Sequence, residues 1–361
     1  MKRSFWHRKK VFVTGHTGFK GSWLSLWLAD MGAFVFGYAL PPLTAPNLFD
    51  IAVSTIDVET SIGDIRDRKS LLAAMQKAQP EILIHLAAQP LVLESYRNPV
   101  ATYETNVMGT VNVFEAARQC ESLKAIINVT TDKCYANREW EWGYREIDEL
   151  GGDDPYSSSK SCSELITNAY RRSFFSAANV RSNVAIATAR SGNVFGGGDW
   201  AADRLVPDCL RSLMAGKPIM VRNPDSIRPW QHVMESLGGY LMLAEYLVES
   251  GQKYAESWNF GPSPELYTVE QLVRKLCREW SGGASFELVR SDERIIHETH
   301  SLLLDSAKTR QRIGWKPIWP LNQALRLTVE WAKSFQAGAD MRQVTLAQIR
   351  EYERQAVLKG E

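Results

Sequence analysis

Five short apolar runs recur through the first half of the chain: VFVTG (11–15), FVFG (34–37), ILIHLAA (82–88), AIINVT (125–130) and VAIATAR (184–190). Helix-like stretches at 18–31, 67–78, 98–119 and 155–178 lie between them. Runs that are apolar at consecutive positions describe strands covered on both faces. Such strands, separated by helices of this length, build βαβ units and hence a parallel sheet with helices on both sides. In sheets of that kind ligands collect at the carboxyl ends of the strands. The polar stretch TTDKCY (130–135) sits at one of those ends, directly after AIINV.

The rhythm breaks after residue 190. GNVFGGGDW (192–200) and NPDSIRPWQHV (223–233) are irregular and turn-rich; 233–250 and 265–281 read as helices, 285–305 as extended, and 321 to about 356 as helical again. The expected division is a cofactor domain over 1–190 with a return segment at 233–262, and a smaller mixed α/β substrate domain over 191–232 and 263–361. With 361 residues, a two-domain chain is the natural reading.

A net charge of +1 gives no reason to expect nucleic acid or a membrane surface as partner. No apolar stretch reaches membrane-spanning length. Five of the first ten residues are basic (Lys2, Arg3, Arg8, Lys9, Lys10) without a following apolar core, so a solvated arm is expected there. Five scattered cysteines without C-x-x-C spacing read as reduced thiols of a cytoplasmic protein. His297 and His300 share an H-x-x-H spacing, but no further ligand cluster surrounds them, and no metal site is expected.

TGHTGFKG follows the first apolar run and opens a helix, giving a Rossmann-type signature with Gly15, Gly18 and Gly21 at G-x-x-G-x-x-G spacing. A side chain at those positions would hold a pyrophosphate away from the backbone N–H groups and the positive helix end. Thr17, Phe19 and Lys20 complete the loop. The second strand end, FVFGYALPP, offers neither the acid that holds ribose hydroxyls nor the arginine that accommodates a 2′-phosphate; Tyr38 occupies the region. The missing arginine favours NAD over NADP. Asp64 and Ile65, in GDIRD, stand at the next strand end, with Asp64 suited to an adenine amino group or simply to strand-end polarity. Leu86, Ala87 and Ala88, in HLAAQ, supply small residues where a bulky one would meet the cofactor.

In DDPYSSSK (153–160) Asp154 is the expected N-cap and Pro155 the first helical residue. Tyr156 and Lys160, four apart, share a helix face. A free tyrosine has a pKa of about 10, and a neighbouring ammonium and a cationic nicotinamide ring both favour its phenolate. Alone, such a pair is common on amphipathic helices; behind a glycine loop and about 140 residues of βαβ pattern it is not.

GHTGFKGSW, NVTTDKCYAN, DPYSSSK, GNVFGGGDW and RPWQHV, in that order and spacing, resemble the extended short-chain dehydrogenase/reductase family along nearly the whole chain. Within it the resemblance is to nucleotide-sugar 4,6-dehydratases of the CDP-sugar branch. It implies an oxidation triad of Thr131, Tyr156 and Lys160, a supporting asparagine at Asn106, NAD as cofactor, CDP-glucose as substrate and a homodimer or homotetramer. The helix stripes at 98–119 and 155–178 would then pair subunits, although burial within one subunit explains them equally well.

Oxidising C4 of a hexose to a ketone acidifies the C5 proton, and a dehydratase then needs an acid–base pair beside the triad. Asp132 and Lys133 supply one. Related dTDP-sugar enzymes carry aspartate–glutamate there; the lysine is shared with the CDP-sugar branch. Asp132 is expected to protonate the leaving C6 hydroxyl. Lys133 is either the C5 base or a positioner of Asp132 or a water, since a free lysine near pKa 10.4 needs tuning to act as a base. On the substrate side the resemblance assigns Asn193 to pyrophosphate and sugar contact. Arg204, Arg228 and Arg294 are cations suited to bidentate phosphate contact, Arg228 foremost.

Overall fold

The computed structural model describes residues 1–176, 184–262, 266–289 and 302–359. Its centre is a seven-stranded sheet of β1 (Lys10–Thr14), β2 (Phe34–Ala39), β3 (Val58–Ile62), β4 (Ile82–His85), β5 (Ala125–Val129), β6 (Ala185–Ser191) and β7 (Ser257–Phe260). The strand order is β7-β6-β5-β4-β1-β2-β3, and every neighbouring pair is parallel. This is the doubly wound order, with the chain reversing direction across the sheet between β1 and β4. Every residue of β4, β5 and β6 is buried, which is why their sequences carry no polar alternation. β3 reads VETSI because it is the edge strand and none of its residues is fully buried.

One helix layer holds Phe19–Asp30, Val233–Ser250 and Met341–Leu358. Their tryptophans and leucines, with Trp258, Trp315 and Trp331, form the larger core. On the opposite face Arg68–Ala78 and Gly109–Ala117 pack beside Pro155–Ser173 over a second core of Phe12, Leu83, Phe114 and Ile126. The helix Val233–Ser250 delivers the chain back to the sheet edge as β7. A third core belongs to the smaller unit: the helices Leu205–Met214, Val269–Trp280 and Leu321–Gln336, with short ladders pairing Ile219–Val221 to Phe286–Leu288 and Ile227–Arg228 to Tyr267–Thr268.

Two expectations change. The stretch 98–119 is not one helix: Pro99–Tyr103 passes through a wide π turn, Glu104–Met108, into Gly109–Ala117. Nor is the basic N-terminus a solvated arm. Arg3–Trp6 is helical, Trp6 is fully buried, and its indole Nε1 donates to Glu245 at 2.8 Å. An aromatic four positions before the first strand outweighs the surrounding charges. No helix among the described residues is long and apolar enough to cross a membrane.

Candidate active site

A cavity of about 940 Å³ opens along the carboxyl ends of the strands, between the sheet and the smaller unit. Its floor begins at the glycine loop. Gly15 adopts φ +76°, and a Cβ there would lie 2.7 Å from the Ala87 backbone nitrogen; one on Gly21 would lie 2.1 Å from the Gly15 carbonyl oxygen. Gly18 is the N-cap of Phe19–Asp30 and offers no capping side chain, so the first-turn N–H groups face the cavity unclaimed by one. The loop therefore has the shape and polarity of a pyrophosphate cradle, and the residues fit a dinucleotide. Thr17, Phe19, Lys20, Asp64, Ile65, Leu86, Ala87 and Ala88 all line it.

At the second strand end the lining is Ala39, Leu40, Pro41 and Leu43. Tyr38 turns away: its ring stacks on Phe12 at 6.3 Å and its hydroxyl donates to the Asp64 carbonyl at 3.1 Å. The strand pleat, alternating sides at each residue, puts it beneath the sheet rather than beside a ribose. Asp64 itself is held by Arg66, whose Nε donates at 2.9 Å; that side-chain hydrogen bond, aided by the guanidinium charge, keeps the carboxyl below its usual range.

The chemistry-bearing residues converge one strand further on. β5 ends at Val129; Thr131 is the N-cap of a single 3₁₀ turn, Asp132–Cys134, and its Oγ1 donates to Asp132 Oδ1 at 2.9 Å. Asp154 caps the helix Pro155–Ser173, accepting from the Ser157 N–H at 2.9 Å, with Pro155 at the first position. That cap fixes where Tyr156 and Lys160 enter the cavity, beside Thr131, Asp132 and Lys133.

Burial dominates the electrostatics. It pushes the Tyr156 phenol up to about 12, against a hydrogen bond with Thr131. Burial and the charge of Lys20 pull Lys160 down to about 8, and its ammonium donates to the Val129 carbonyl at 3.2 Å. Burial also raises the Asp132 carboxyl above its usual range, against Lys133, Thr131 and Arg228. Asp132 Oδ2 is buried without a hydrogen-bond partner among the described residues. A carboxyl in that setting keeps its proton longer than a solvated one and has an oxygen free to deliver it.

Lys20 is a cation inside the cavity wall: its Nζ donates to Ser191 Oγ at 3.1 Å, and burial followed by Arg204 lowers it to about 8. Asn193, Arg204 and Arg228 line the side facing the smaller unit. Arg228 is buried, with Nη1 on the Ile227 carbonyl at 2.8 Å, whereas Arg204 pairs with Asp199 at 3.1 Å. Arg294, His297 and His300 lie outside the described residues.

Asn106 is the one expected cofactor residue that does not line the cavity. It sits in the π turn, where Oδ1 accepts from the Gln89 N–H at 2.8 Å and Nδ2 donates to the Gln89 carbonyl and to Ser159 Oγ. It ties the loop after β4 to the helix Pro155–Ser173. Sequence reading missed the apolar wall at Leu40 and Leu43 and the far wall at Trp200, Met220 and Arg222. Nothing in those residue types separates a wall from a loop until the two units are assembled.

The family model described as GDP-mannose 4,6 dehydratase matches residues 12–328. The chain is 51% identical over 352 residues to CDP-glucose 4,6-dehydratase of Salmonella typhimurium, covering 97% of this chain and 98% of the relative. Among solved structures it is similar to dTDP-glucose 4,6-dehydratase from Bacillus anthracis in complex with NAD, at TM-score 0.76 and 20% identity over 92% of this chain and 98% of that one. It is also similar to UDP-glucose 4-epimerase from Thermotoga maritima with UDP-glucose, at TM-score 0.75 and 21% identity over 90% and 99%. The parallel sheet, the glycine cradle and this match over most of the length agree: the chain belongs to the GDP-mannose 4,6-dehydratase family, within the extended short-chain dehydrogenases/reductases.

Proposed function

We propose that the protein is a hydro-lyase that converts CDP-D-glucose to CDP-4-keto-6-deoxy-D-glucose, with NAD as a resident cofactor. The observation that carries this reading is the buried Asp132, carboxyl raised and Oδ2 unpartnered, one residue from Thr131 and in the same cavity as Tyr156 and Lys160. An epimerase needs the last three but has no use for a proton donor beside them. The choice of CDP-glucose is supported by the 51% identity to the Salmonella enzyme.

NAD would rest on Gly15, Gly18, Gly21 and Ala87, and when bound it supplies a hydride store, taking hydride from C4 and returning it to C6. Tyr156 removes the O4 proton, with Thr131 steadying that oxygen. Lys160 adds the positive charge that a phenolate needs once a ligand completes its surroundings. The C4 ketone acidifies C5–H; Lys133 takes that proton, and Asp132 gives its own to the C6 hydroxyl, which leaves as water. Lys133 gives its proton back to C5 as C6 is reduced, and the proton that Tyr156 took from O4 replaces the one Asp132 spent. Asn193, Arg204 and Arg228 hold the pyrophosphate side of the substrate. In this division residues 1–190 with 233–262 serve the cofactor, and 191–232 with 263–361 serve the nucleotide sugar, the last helix packing back on the first unit. Exposed Tyr96, Val100, Tyr103, Met108 and Leu165 form a face suited to a second subunit, giving a homodimer. The enzyme would work in the cytoplasm and feed deoxysugar and O-antigen synthesis.

Incubation with NAD and a panel of CDP-, dTDP-, UDP- and GDP-hexoses tests the reading. A 4-keto-6-deoxy product from CDP-glucose supports it; a C4 epimer identifies an epimerase, and no product from any hexose refutes catalysis. For Lys133, the Lys133→Ala variant in deuterated water is expected to oxidise C4 but lose C5 exchange. Undiminished elimination would remove Lys133 from the base role.

A further inference from the structure

Behind the reactive turn lies a buried ion pair to which neither the cofactor nor the substrate reading assigns a task. Glu164, one turn beyond Lys160 on the catalytic helix, and Arg190, on β6, have side chains only 1% and 2% exposed. The contact is a fork: Arg190 Nε donates to Glu164 Oε1 at 2.9 Å and Nη2 to Oε2 at 2.8 Å. Glu164 accepts further from Thr188 Oγ1 at 2.8 Å on β6 and from Ser257 Oγ at 3.3 Å on β7.

The remaining arms reach the two ends of the reactive turn. Thr130, immediately before Thr131, donates its hydroxyl to Glu164 Oε1. Tyr135, immediately after Cys134, accepts from Arg190 Nη1 at 2.7 Å, and its ring lies under the guanidinium at 4.9 Å. The same tyrosine hydroxyl donates to Asn259 Oδ1 at 2.8 Å on β7. Thus the segment 130–135, which carries Thr131, Asp132 and Lys133, is fastened at its first and last residues to one charge pair. That pair is rooted on the helix that presents Tyr156 and Lys160.

A buried ion pair is weak evidence of a stabilising role, because apolar residues of similar volume often serve stability as well. Its use here is better understood as registration. We propose that Glu164 and Arg190 are positioning residues that set Asp132 and Lys133 against Tyr156, fixing the elimination pair relative to the oxidation pair. The inference rests on the dehydratase reading. It gives a hydrogen-bonded link, rather than general packing, the task of holding two half-reactions on one hexose.

Cutting the links while leaving the charges paired is the test. Thr130→Val and Tyr135→Phe each remove one hydroxyl and keep the Glu164–Arg190 fork; Thr130→Ser keeps the hydroxyl. Each variant is assayed with the wild-type enzyme for CDP-glucose dehydration, C5 exchange with deuterated water, and thermal unfolding. In Thr130→Val and Tyr135→Phe, kcat is expected to fall by about 10²-fold with KM within about twofold, since misplacement by about 1 Å has that cost. C5 exchange falls with kcat, and Thr130→Ser recovers most of the loss. If both hydroxyl-deleted variants melt earlier yet turn over at the wild-type rate, the pair is structural and the proposal is overturned. A wild type that makes no 4-keto sugar overturns the dehydratase reading first, and this inference with it.

Discussion

Asp132 shows how a residue type acquires its task from position. An aspartate in water is ionised at neutral pH and a poor acid. At the end of β5 it is 2% exposed, and loss of hydration moves its carboxyl toward the protonated form more than Lys133, Thr131 and Arg228 move it back. In the proposed role of general acid it must carry its proton into the elimination step. The dehydration rate should therefore decline as pH rises through a midpoint above the ordinary carboxylate value of about 4. Asp132→Asn removes the proton and keeps the shape. Its kcat is expected to fall by about 10²–10⁴-fold, the usual contribution of general acid catalysis, while C5 exchange persists. An Asp132→Asn enzyme that eliminates water at the wild-type rate would assign the acid elsewhere. Burial pushes the Tyr156 phenol up as well, to about 12, so the phenolate that its spacing from Lys160 suggests would need the further positive charge of a bound nicotinamide.

At the scale of elements, the π turn Glu104–Met108 is the part that sequence pattern could not resolve. ETNVMGT continues an amphipathic helix by periodicity, and only the structure widens it so that Asn106 points inward. There it satisfies both backbone groups of Gln89 and the hydroxyl of Ser159, three residues past Tyr156. Asn106→Ala leaves those buried groups without partners, at about 1–3 kcal/mol for each unsatisfied group. Urea unfolding is expected to show a loss of about 3 kcal/mol, together with weaker NAD binding by calorimetry as the loop after β4 loosens. A variant as stable as wild type would mean that water replaces the amide. Five of the seven strands were readable because burial writes them as continuous apolar runs, whereas the edge strand Val58–Ile62 carries no such run. The catalytic helix was readable because Asp154 and Pro155 punctuate its start. Tyr38 and the Glu164–Arg190 fork were not, since side-chain direction at a strand end and pairing across about 26 residues depend on the assembled sheet.

On the scale of the whole molecule, the two units are joined through Glu235 as well as across the cavity. This residue lies in the first turn of Val233–Ser250, the helix that returns the chain to the sheet. Its Oε1 accepts from the Trp319 N–H at 2.7 Å, and its Oε2 from the Ile318 N–H at 2.9 Å and the Tyr352 hydroxyl at 3.1 Å. One carboxyl thereby fastens the return helix to the segment before Leu321–Gln336 and to the last helix. Burial pushes it up to about 7, against the two amides and Tyr352. Between the ordinary glutamate value and 7 the folded chain holds a proton that the unfolded chain has released. Stability from this site is thus greatest at low pH, falls as pH rises from about 4.5 to about 7, and is level beyond, by about 3 kcal/mol in all. Glu235→Gln cannot ionise. It also has one oxygen where two accepted, so it starts less stable at pH 5, but the decline toward pH 7.5 should be shallower than wild type by about 2 kcal/mol, the part of that loss falling in this window. Unfolding free energies of both proteins at the two pH values give the comparison. An equal decline in both would mean that Glu235 is ionised throughout, its amide donors having outweighed burial.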